Sequence, residues 1–376
     1  MSSKLDQLLQ KLCPNGVEWK RLDEVCDFLD SQRCPITKSK RVKGDIPYYG
    51  ANGIQDYVSD YIFDGQYVLI GEDGSVITKE GNPVVTWVEG KAWVNNHAHV
   101  ISKKQDVLLR FVYHLMRSVN VRKLVHGTPP KLLGKDLQAF QIPIPPLAVQ
   151  EEIVRILDKF TELTAELTAE LTARKAQYEW YRDKLLNFNE LEKSGGVIVS
   201  LGKIAEIGTG SSNSNEGLNE GLYPFYVRSQ FPKWKDEYEY DEIAVITAGD
   251  GVGVGKVFHY VEGKYALHQR AYRIHIMHDN LSAKFFFYYI QSRLYSYLAK
   301  EKYNGSVSSL RRPMLEKFPV CIPSMKKQNE IVDKLDRFQV FTDSLTKGLP
   351  AEIEARKKQY EYYRDKLLSF QPVRKS

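Results

Sequence analysis

Between Gln150 and Phe188 the chain runs for 39 residues without a glycine or a proline. Ile153, Ile156, Leu157, Phe160, Leu163, Leu167, Leu171, Tyr178, Tyr181, Leu185 and Phe188 recur there at three- and four-residue steps, the spacing of one face of a long helix. Inside it the unit ELTA occurs three times, from Glu162 to Ala173. Four residues nearly complete a helical turn, so Leu163, Leu167 and Leu171 stay roughly on one side, and Glu170 can pair with Arg174.

The stretch is repeated. Ala173 to Phe188 (ARKAQYEWYRDKLLNF) returns as Ala355 to Phe370 (ARKKQYEYYRDKLLSF), with 13 of 16 positions identical at an offset of 182. Upstream, Gln150, Ile153 and Phe160 return as Gln328, Ile331 and Phe338 at an offset of 178, so the copies differ by four residues between Phe160 and Ala173. The second copy carries Lys347, Gly348, Leu349 and Pro350, which should break or kink its helix near Gly348. Its apolar face includes Ile331, Leu335, Phe338, Tyr360, Tyr363 and Leu367.

The remaining sequence also falls into two similar halves. Leu5 to Leu12 has the spacing of a short amphipathic helix, stopped by Pro14, Asn15 and Gly16. From Val17 to about Ile144, short β-type runs (Tyr67 to Ile70, Val84 to Val88, Ala98 to Ile101) are interrupted by a helical pattern at Val107 to Arg117. This predicts an α+β domain. The IPIPP segment, Ile142 to Pro146, is an extended exit. Asn189 to Gly196 (NELEKSGG) reads as a polar linker before a second α+β region. Leu22 and Val25 match Leu201 and Ile204, IPYY at 46–49 matches YPFY at 223–226, and the turn at Asp73 and Gly74 matches Asp250 and Gly251. VEGK, read as a turn, is identical at 88–91 and 261–264, and Ile144 and Pro145 match Ile322 and Pro323. One internal duplication accounts for all of these. It predicts α+β domains over 1–145 and 189–322, each followed by a long helical segment, over 146–188 and 323–376.

The bulk composition, 43% hydrophobic and 27% charged, is that of a globular protein, and a net charge of +6 with a pI near 8.8 permits a polyanionic partner without requiring one. Cys13, Cys26, Cys34 and Cys321 have no CxxC spacing, which predicts buried thiols rather than a metal site or a disulfide framework. The N-terminus lacks the apolar run of a signal peptide and no stretch approaches about 18 apolar residues, so a cytoplasmic protein with no membrane span is expected.

The duplicated α+β plan, the IPxPPLxxQxxI pattern at Ile142 to Ile153 and the paired ARKxQYExYRDKLLxF endings closely resemble the specificity (S) subunit of type I restriction-modification systems. The resemblance spans essentially the whole chain. It implies two target-recognition domains, each reading one half of a bipartite double-stranded DNA sequence. Two long helices, packed antiparallel in a coiled-coil-like spacer, would dock two modification (methyltransferase) subunits, with restriction (helicase-nuclease) subunits joining the full complex. The second IPxPPL pattern is degenerate, with Cys321, Ile322, Pro323, Ser324 and Met325 where the first has Pro143, Ile144, Pro145, Pro146 and Leu147. Equal docking geometry at the two ends is therefore in doubt.

Catalytic signatures are weak. Asn82, Pro83, Val84 and Val85 lack the second proline and the aromatic residue of a methyltransferase NPPY motif. The GDGVGVG run at 249–255 is followed by Lys256 and Val257, not by the Lys-Ser or Lys-Thr of a phosphate loop, and reads as a hairpin turn. A non-catalytic subunit with no cofactor and no metal is expected. The alternatives are a stand-alone DNA modification enzyme with an unusual donor site, or a helical scaffold that binds only protein.

Sequence reading requires hydrogen-bonding side chains against base edges, with Lys and Arg on phosphates to set register. Lys38, Lys40, Arg41 and Lys43 lie in a polar loop and are either phosphate contacts or a solvated face. Asn95, Asn96, His97 and His99 follow VEGK, and their counterparts are His268, Gln269, Arg270 and Tyr272. Corresponding positions that differ in base-discriminating groups suit two unlike half-sites, although polar residues completing a strand end would look the same. Arg228, Gln230, Lys233 and Lys235 form a second basic stretch, and Lys131, Arg311 and Arg312 precede the final strand of each half. Tyr178, Tyr181, Tyr360 and Tyr363 either pack the helices together or face a modification subunit.

Overall fold

The computed structural model describes residues 4–104, 106–301, 309–343 and 348–373. In chain order the first half forms α1 (Lys4–Leu12), β1 (Glu18–Arg21), α2 (Leu22–Val25), β2 (Cys26–Phe28), β3 (Lys43–Gly50), β4 (Gly53–Val58), β5 (Phe63–Gly71), β6 (Val85–Val94), β7 (Ala98–Lys103) and α3 (Leu109–Met116). It continues through β8 (Val125–His126), β9 (Lys131–Leu132), α4 (Gly134–Gln138) and β10 (Gln141–Ile144) into the long α5 (Leu147–Leu185). The second half forms α6 (Phe188–Lys193), β11 (Val197–Ser200), β12 (Ala205–Thr209), β13 (Tyr223–Tyr226), β14 (Lys233–Lys235), β15 (Tyr240–Ala248), β16 (Phe258–Leu267), β17 (Ala271–Ile276), α7 (Ala283–Glu301), α8 (Arg312–Glu316), β18 (Pro319–Ile322), α9 (Met325–Asp343) and α10 (Leu349–Leu367).

The duplication inferred from sequence is realised strand for strand in the two main sheets. One six-stranded sheet has the order β2-β7-β5-β6-β3-β4 and the other β12-β17-β15-β16-β13-β14. In each, a single parallel contact, Tyr48 and Tyr49 with Trp93 and Val94 or Phe225 and Tyr226 with Ala266 and Leu267, joins an otherwise antiparallel arrangement. A two-stranded ribbon, β1 with β10 and β11 with β18, stands beside each sheet.

Contacts divide the chain into two units, 1–167 with 353–376, and 168–352. The long helix contributes its first turns to one unit and its last to the other, and the chain's C-terminal helix belongs with the first half. This grouping differs from the four consecutive segments expected from sequence. In the first unit, Val68, Ile70 and Ile101 of the sheet pack with Phe111, Val112 and Leu115 of α3, Ile153 and Leu157 of α5, and Tyr360 and Leu368. The second unit repeats this with Val245 and Ile274, Phe285 and Tyr289 of α7, Ile331 and Leu335 of α9, and Leu186 and Leu191.

A buried glutamine fixes each long helix to its domain. Oε1 of Gln150 accepts from Leu108 N–H at 2.8 Å, while Nε2 donates to the carbonyls of Pro145 at 2.8 Å and Asp106 at 3.3 Å. Gln328 does the same for Ser282 N–H at 2.8 Å and for the carbonyls of Pro323 at 2.8 Å and Asn280 at 2.7 Å. Both side chains are fully buried, so each satisfies groups that burial would otherwise leave unpaired. Pro145 and Pro146 cost nothing before the helix, because the first turn has spare N–H groups and Pro146 supplies the carbonyl that Val149 N–H reaches at 2.8 Å.

Four expectations need revision or completion. The long helix runs three residues earlier at each end than its glycine-free stretch, because Leu147 can start it directly after the prolines. VEGK is not a turn: it lies inside β6 and β16, where Gly90 (φ +83°) and Gly263 (φ +93°) stay in the strand pairing in a conformation that other residues avoid. NELEKSGG is not a free linker, because α6 buries Leu191. The second copy of the long helix is two helices, α9 and α10, with Gly348 at φ +85° and Pro350 in the first turn of α10, as the sequence predicted; Lys347 lies outside the described residues. Among the described residues, no helix is long and apolar enough to cross a membrane.

Candidate nucleic-acid interface

The turn between β6 and β7 (95–97) and its copy between β16 and β17 (268–270) are built alike. The first residue of each turn donates its N–H to a neighbouring strand, Asn95 to Tyr49 O and His268 to Tyr226 O, both at 3.0 Å. Its side chain then turns inward and accepts from the backbone two residues on: Asn95 Oδ1 from His97 N–H at 2.8 Å, His268 Nδ1 from Arg270 N–H at 2.9 Å. An amide oxygen and an imidazole nitrogen do the same work. Burial, followed by the nearby Arg228 guanidinium, holds His268 below its ordinary pKa, in keeping with a ring that accepts through Nδ1.

The third residue of each turn meets an aspartate at the end of the central strand. Asp73 lies 2.5 Å from His97 Nδ1. Asp250 accepts from Arg270 at 3.1 Å and from Arg228 at 2.6 Å. Partial burial would raise the Asp250 pKa, but the two guanidiniums hold it below the usual carboxylate range. The backbone of each aspartate bridges to a segment near the end of its domain, Asp73 to Lys131 and Asp250 to Ser309. His97 and Lys131 are thus gathered at one corner, and Arg228 and Arg270 at the other. The aspartates were visible in the sequence only as matched turn residues; their equivalence in the repeat was the signal that could have marked them.

Beneath the first corner lies a network absent from the sequence reading. Arg33 pairs with Glu72 at 2.5 Å and donates to Ala98 O at 2.9 Å, while His99 bonds to Asp30 at 2.6 Å and to Leu132 O at 2.8 Å. One ligand-type atom each from Asp30, Glu72 and His99 lie within 4.8 Å of one another. A metal does not fit there: Arg33 already neutralises Glu72, and both His99 nitrogens face acceptors and carry protons.

The placement of the other candidates sorts them. His99 (1% exposed), Asn95 (3%) and His268 (4%) are buried and hold the turns, which corrects the expectation that they face bases. Arg41 is also corrected: its guanidinium lies 4.1 Å above the Tyr48 ring, bonds to Asp56 at 3.1 Å and to Ile36 O at 3.0 Å, and is a lock inside the loop. Lys235 is likewise spent, on Ser212 Oγ at 2.8 Å and Glu216 at 2.9 Å. Lys38, Lys40, Lys43, Asn96, Lys131, Arg228, Gln230, Lys233, Gln269, Arg270, Arg311 and Arg312 are exposed, and His97 partly so. Of these, Lys233 donates to Ser214 O, Gln269 to Asn213 and Arg312 to Glu316. In the glycine run after β15, Lys256 sits over the Tyr295 ring at 5.5 Å, unlike a phosphate-binding lysine.

The helix candidates divide between the units. In the first, Ile153 and Leu157 are buried, Phe160 stacks on Tyr363 with centroids 5.4 Å apart, and Tyr360 bonds to His114 and Arg117 while Leu367 packs on the same core. In the second, Tyr181 stacks on Phe338 at 5.4 Å, and Tyr178 and Leu185 pack against the core that holds Ile331 and Leu335. Leu163, Leu167 and Leu171 are half-buried. The four tyrosines therefore pack within their own units.

Residues 14–174 and 194–355 each match the type I restriction modification DNA specificity domain, the two copies falling on the two halves of the duplication. A Haemophilus influenzae protein named as a type I restriction enzyme specificity subunit is 38% identical, over 96% of this chain and 98% of its own. The EcoR124I/EcoR124II specificity subunit of Escherichia coli is 35% identical over 70% of this chain and 71% of its own. The crystal structure of a type I restriction-modification S subunit from M. genitalium superposes with a TM-score of 0.59 at 15% identity, covering 94% of this chain and 96% of that one. A chain from structural work on assembly and conformational transition of a type I system gives 0.52 at 19%, covering 95% and 98%. These two likenesses extend to the fold, and the sequence matches carry the rest: the chain belongs to the specificity subunits of type I restriction-modification systems.

Proposed function

We propose that this chain is the non-catalytic DNA-reading subunit of its complex. Each α+β domain, 1–145 and 189–322, reads one half of a bipartite double-stranded site. The helical segments 146–188 and 323–376 set the gap between the halves and dock two methyltransferase subunits, which supply the chemistry, with restriction subunits joining the larger assembly. The observation that carries this reading is the twice-built corner: one backbone frame, held by Asp73 or Asp250, presents His97 in one unit and Arg270 in the other. Constant frames with different hydrogen-bonding groups are what two unlike half-sequences require. The exposed Lys38, Lys40, Lys43, Lys131, Lys233 and Arg311 supply cations for phosphates.

The test is to map methylated sites in cells carrying this chain and its methyltransferase partner. Two defined half-sequences at a fixed gap are expected. Methylation by the purified chain alone, or without a bipartite motif, would sink the reading.

A further inference from the structure

We propose that positions 97 and 270 are the equivalent base-reading positions of the two units, and that Arg270 reads a guanine in the half-site of the second. The inference rests on the DNA-reading function above and deepens it by separating reader from support within each turn.

Of the three residues in each turn, the first is consumed as a buried acceptor for the third. The second is exposed, but Gln269 is tied to Asn213. The third is both presented and held. Arg270 is 63% exposed, and Asp250 takes only Nη1. Among the described residues the Nε–Nη2 edge has no bonded partner, leaving two parallel donors with the spacing of guanine O6 and N7. Arg228 on the same carboxylate, and the backbone bridge from Asp250 to Ser309, fix the aspartate that aims the guanidinium. A side chain held this way gives up little freedom on binding. In the first unit the same frame holds His97 through Nδ1. With that nitrogen on Asp73, the edge left for a base is the single Nε2, which cannot make the two parallel bonds that guanine O6 and N7 take from an arginine. A two-donor fork in one unit and a single ring nitrogen in the other, at one frame position, suit two different half-sequences.

The chain in complex with its own methyltransferase subunits is assayed at low salt, where phosphate contacts keep variants bound, against duplexes bearing its methylation motif and every single base-pair replacement of it. The wild-type complex should lose roughly tenfold or more when one G·C pair of the second unit's half-site is replaced. R270Q should lose that discrimination, or move it to A·T, while keeping full discrimination at every other position, including the whole other half-site. An R270Q complex that keeps all wild-type ratios, whether its overall affinity is unchanged or uniformly lower, makes Arg270 dispensable or a phosphate contact and overturns the assignment. A wild-type complex with no base preference at all would instead remove the DNA-reading function on which this rests.

Discussion

Nδ1 of His99 lies 2.6 Å from Asp30 Oδ2, and Nε2 of the same ring lies 2.8 Å from the carbonyl oxygen of Leu132. Both neighbours only accept, so both nitrogens donate and the buried ring is an imidazolium. Burial alone would lower its pKa; the Asp30 carboxylate and the Leu132 carbonyl override that and raise it. Burial would likewise raise Asp30, but His99 and the N–H of Val100 hold it below the ordinary range. The pair braces the β6–β7 turn from beneath.

A group whose pKa is raised on folding contributes stability that is complete below its unfolded value, about 6.5 for histidine, and is lost as pH rises through the folded value. The Asp30 contribution runs the other way, complete above about 3.9 and lost as pH falls through its lowered value. Replacing His99 by Phe should therefore cost the first unit about 3 kcal/mol near pH 6, the low end for breaking a buried pair because Asp30 is partly exposed, and clearly less near pH 9. Urea unfolding of both proteins at the two pH values checks this, and an equal difference at both would show that the ring is not a cation.

How much of this was legible in the sequence depends on which interactions are local. The duplication, the long helix and its break at Gly348 were readable because periodicity, proline and glycine act through the backbone nearby. The roles of Asn95 and His268 were not, since a polar residue ending a strand looks the same whether it faces solvent or folds back to cap its own turn. Arg41 resembled its lysine neighbours until Tyr48 and Asp56, brought in by two other strands, enclosed it. VEGK misled because a glycine at positive φ can sit inside a paired strand as well as in a turn.

Gln150 and Gln328 should be the most sensitive uncharged positions of the chain. Replacing either by Leu keeps the volume roughly but leaves one buried N–H and two carbonyls without their partner, at a cost of about 2 to 3 kcal/mol. Hydrogen exchange read by mass spectrometry should show Q150L loosening the first unit only and Q328L the second only. The two sites share no partners, so the double variant should add to within about 0.5 kcal/mol. Spread of either effect across both units would contradict the independence of the clamps.

The hydroxyl of Tyr360 ties the C-terminal helix to the first domain. It lies 3.1 Å from His114 Nδ1, and His114 Nε2 lies 2.7 Å from Asp158. Burial, against the pull of Asp158, lowers the pKa of this ring, so it is neutral: the tyrosine donates to Nδ1 and Nε2–H donates to the carboxylate. His114 and His99 are both buried beside an aspartate, but the Leu132 carbonyl and Glu72 help raise His99, whereas the Arg110 and Arg117 guanidiniums add to the lowering of His114. Tyr360→Phe should cost about 1 to 3 kcal/mol and speed exchange in 353–368 and 109–116 together. Unchanged protection of 353–368 would mean that stacking of Phe160 on Tyr363 suffices to hold the helix.

The three ELTA units lie in an uninterrupted part of α5, where Thr161, Thr164 and Thr172 bond back to carbonyls four residues earlier and Arg174 reaches Glu170 at 3.5 Å. Deleting Glu166 to Ala169 removes one whole unit and restores ELTA on either side, so the helix should persist with the same face. It shortens by about 6 Å and rotates the chain beyond the deletion by about 40°. One base pair rotates a duplex by about 35° and advances it about 3.4 Å. Rotation therefore matches one base pair, and length permits one or two. The expected result is a methylation motif with both half-sequences intact and its unspecified gap shorter by one base pair, or less readily two, read by genome-wide mapping of methylated sites. Altered half-sequences at an unchanged gap would mean that the helix does not act as the ruler.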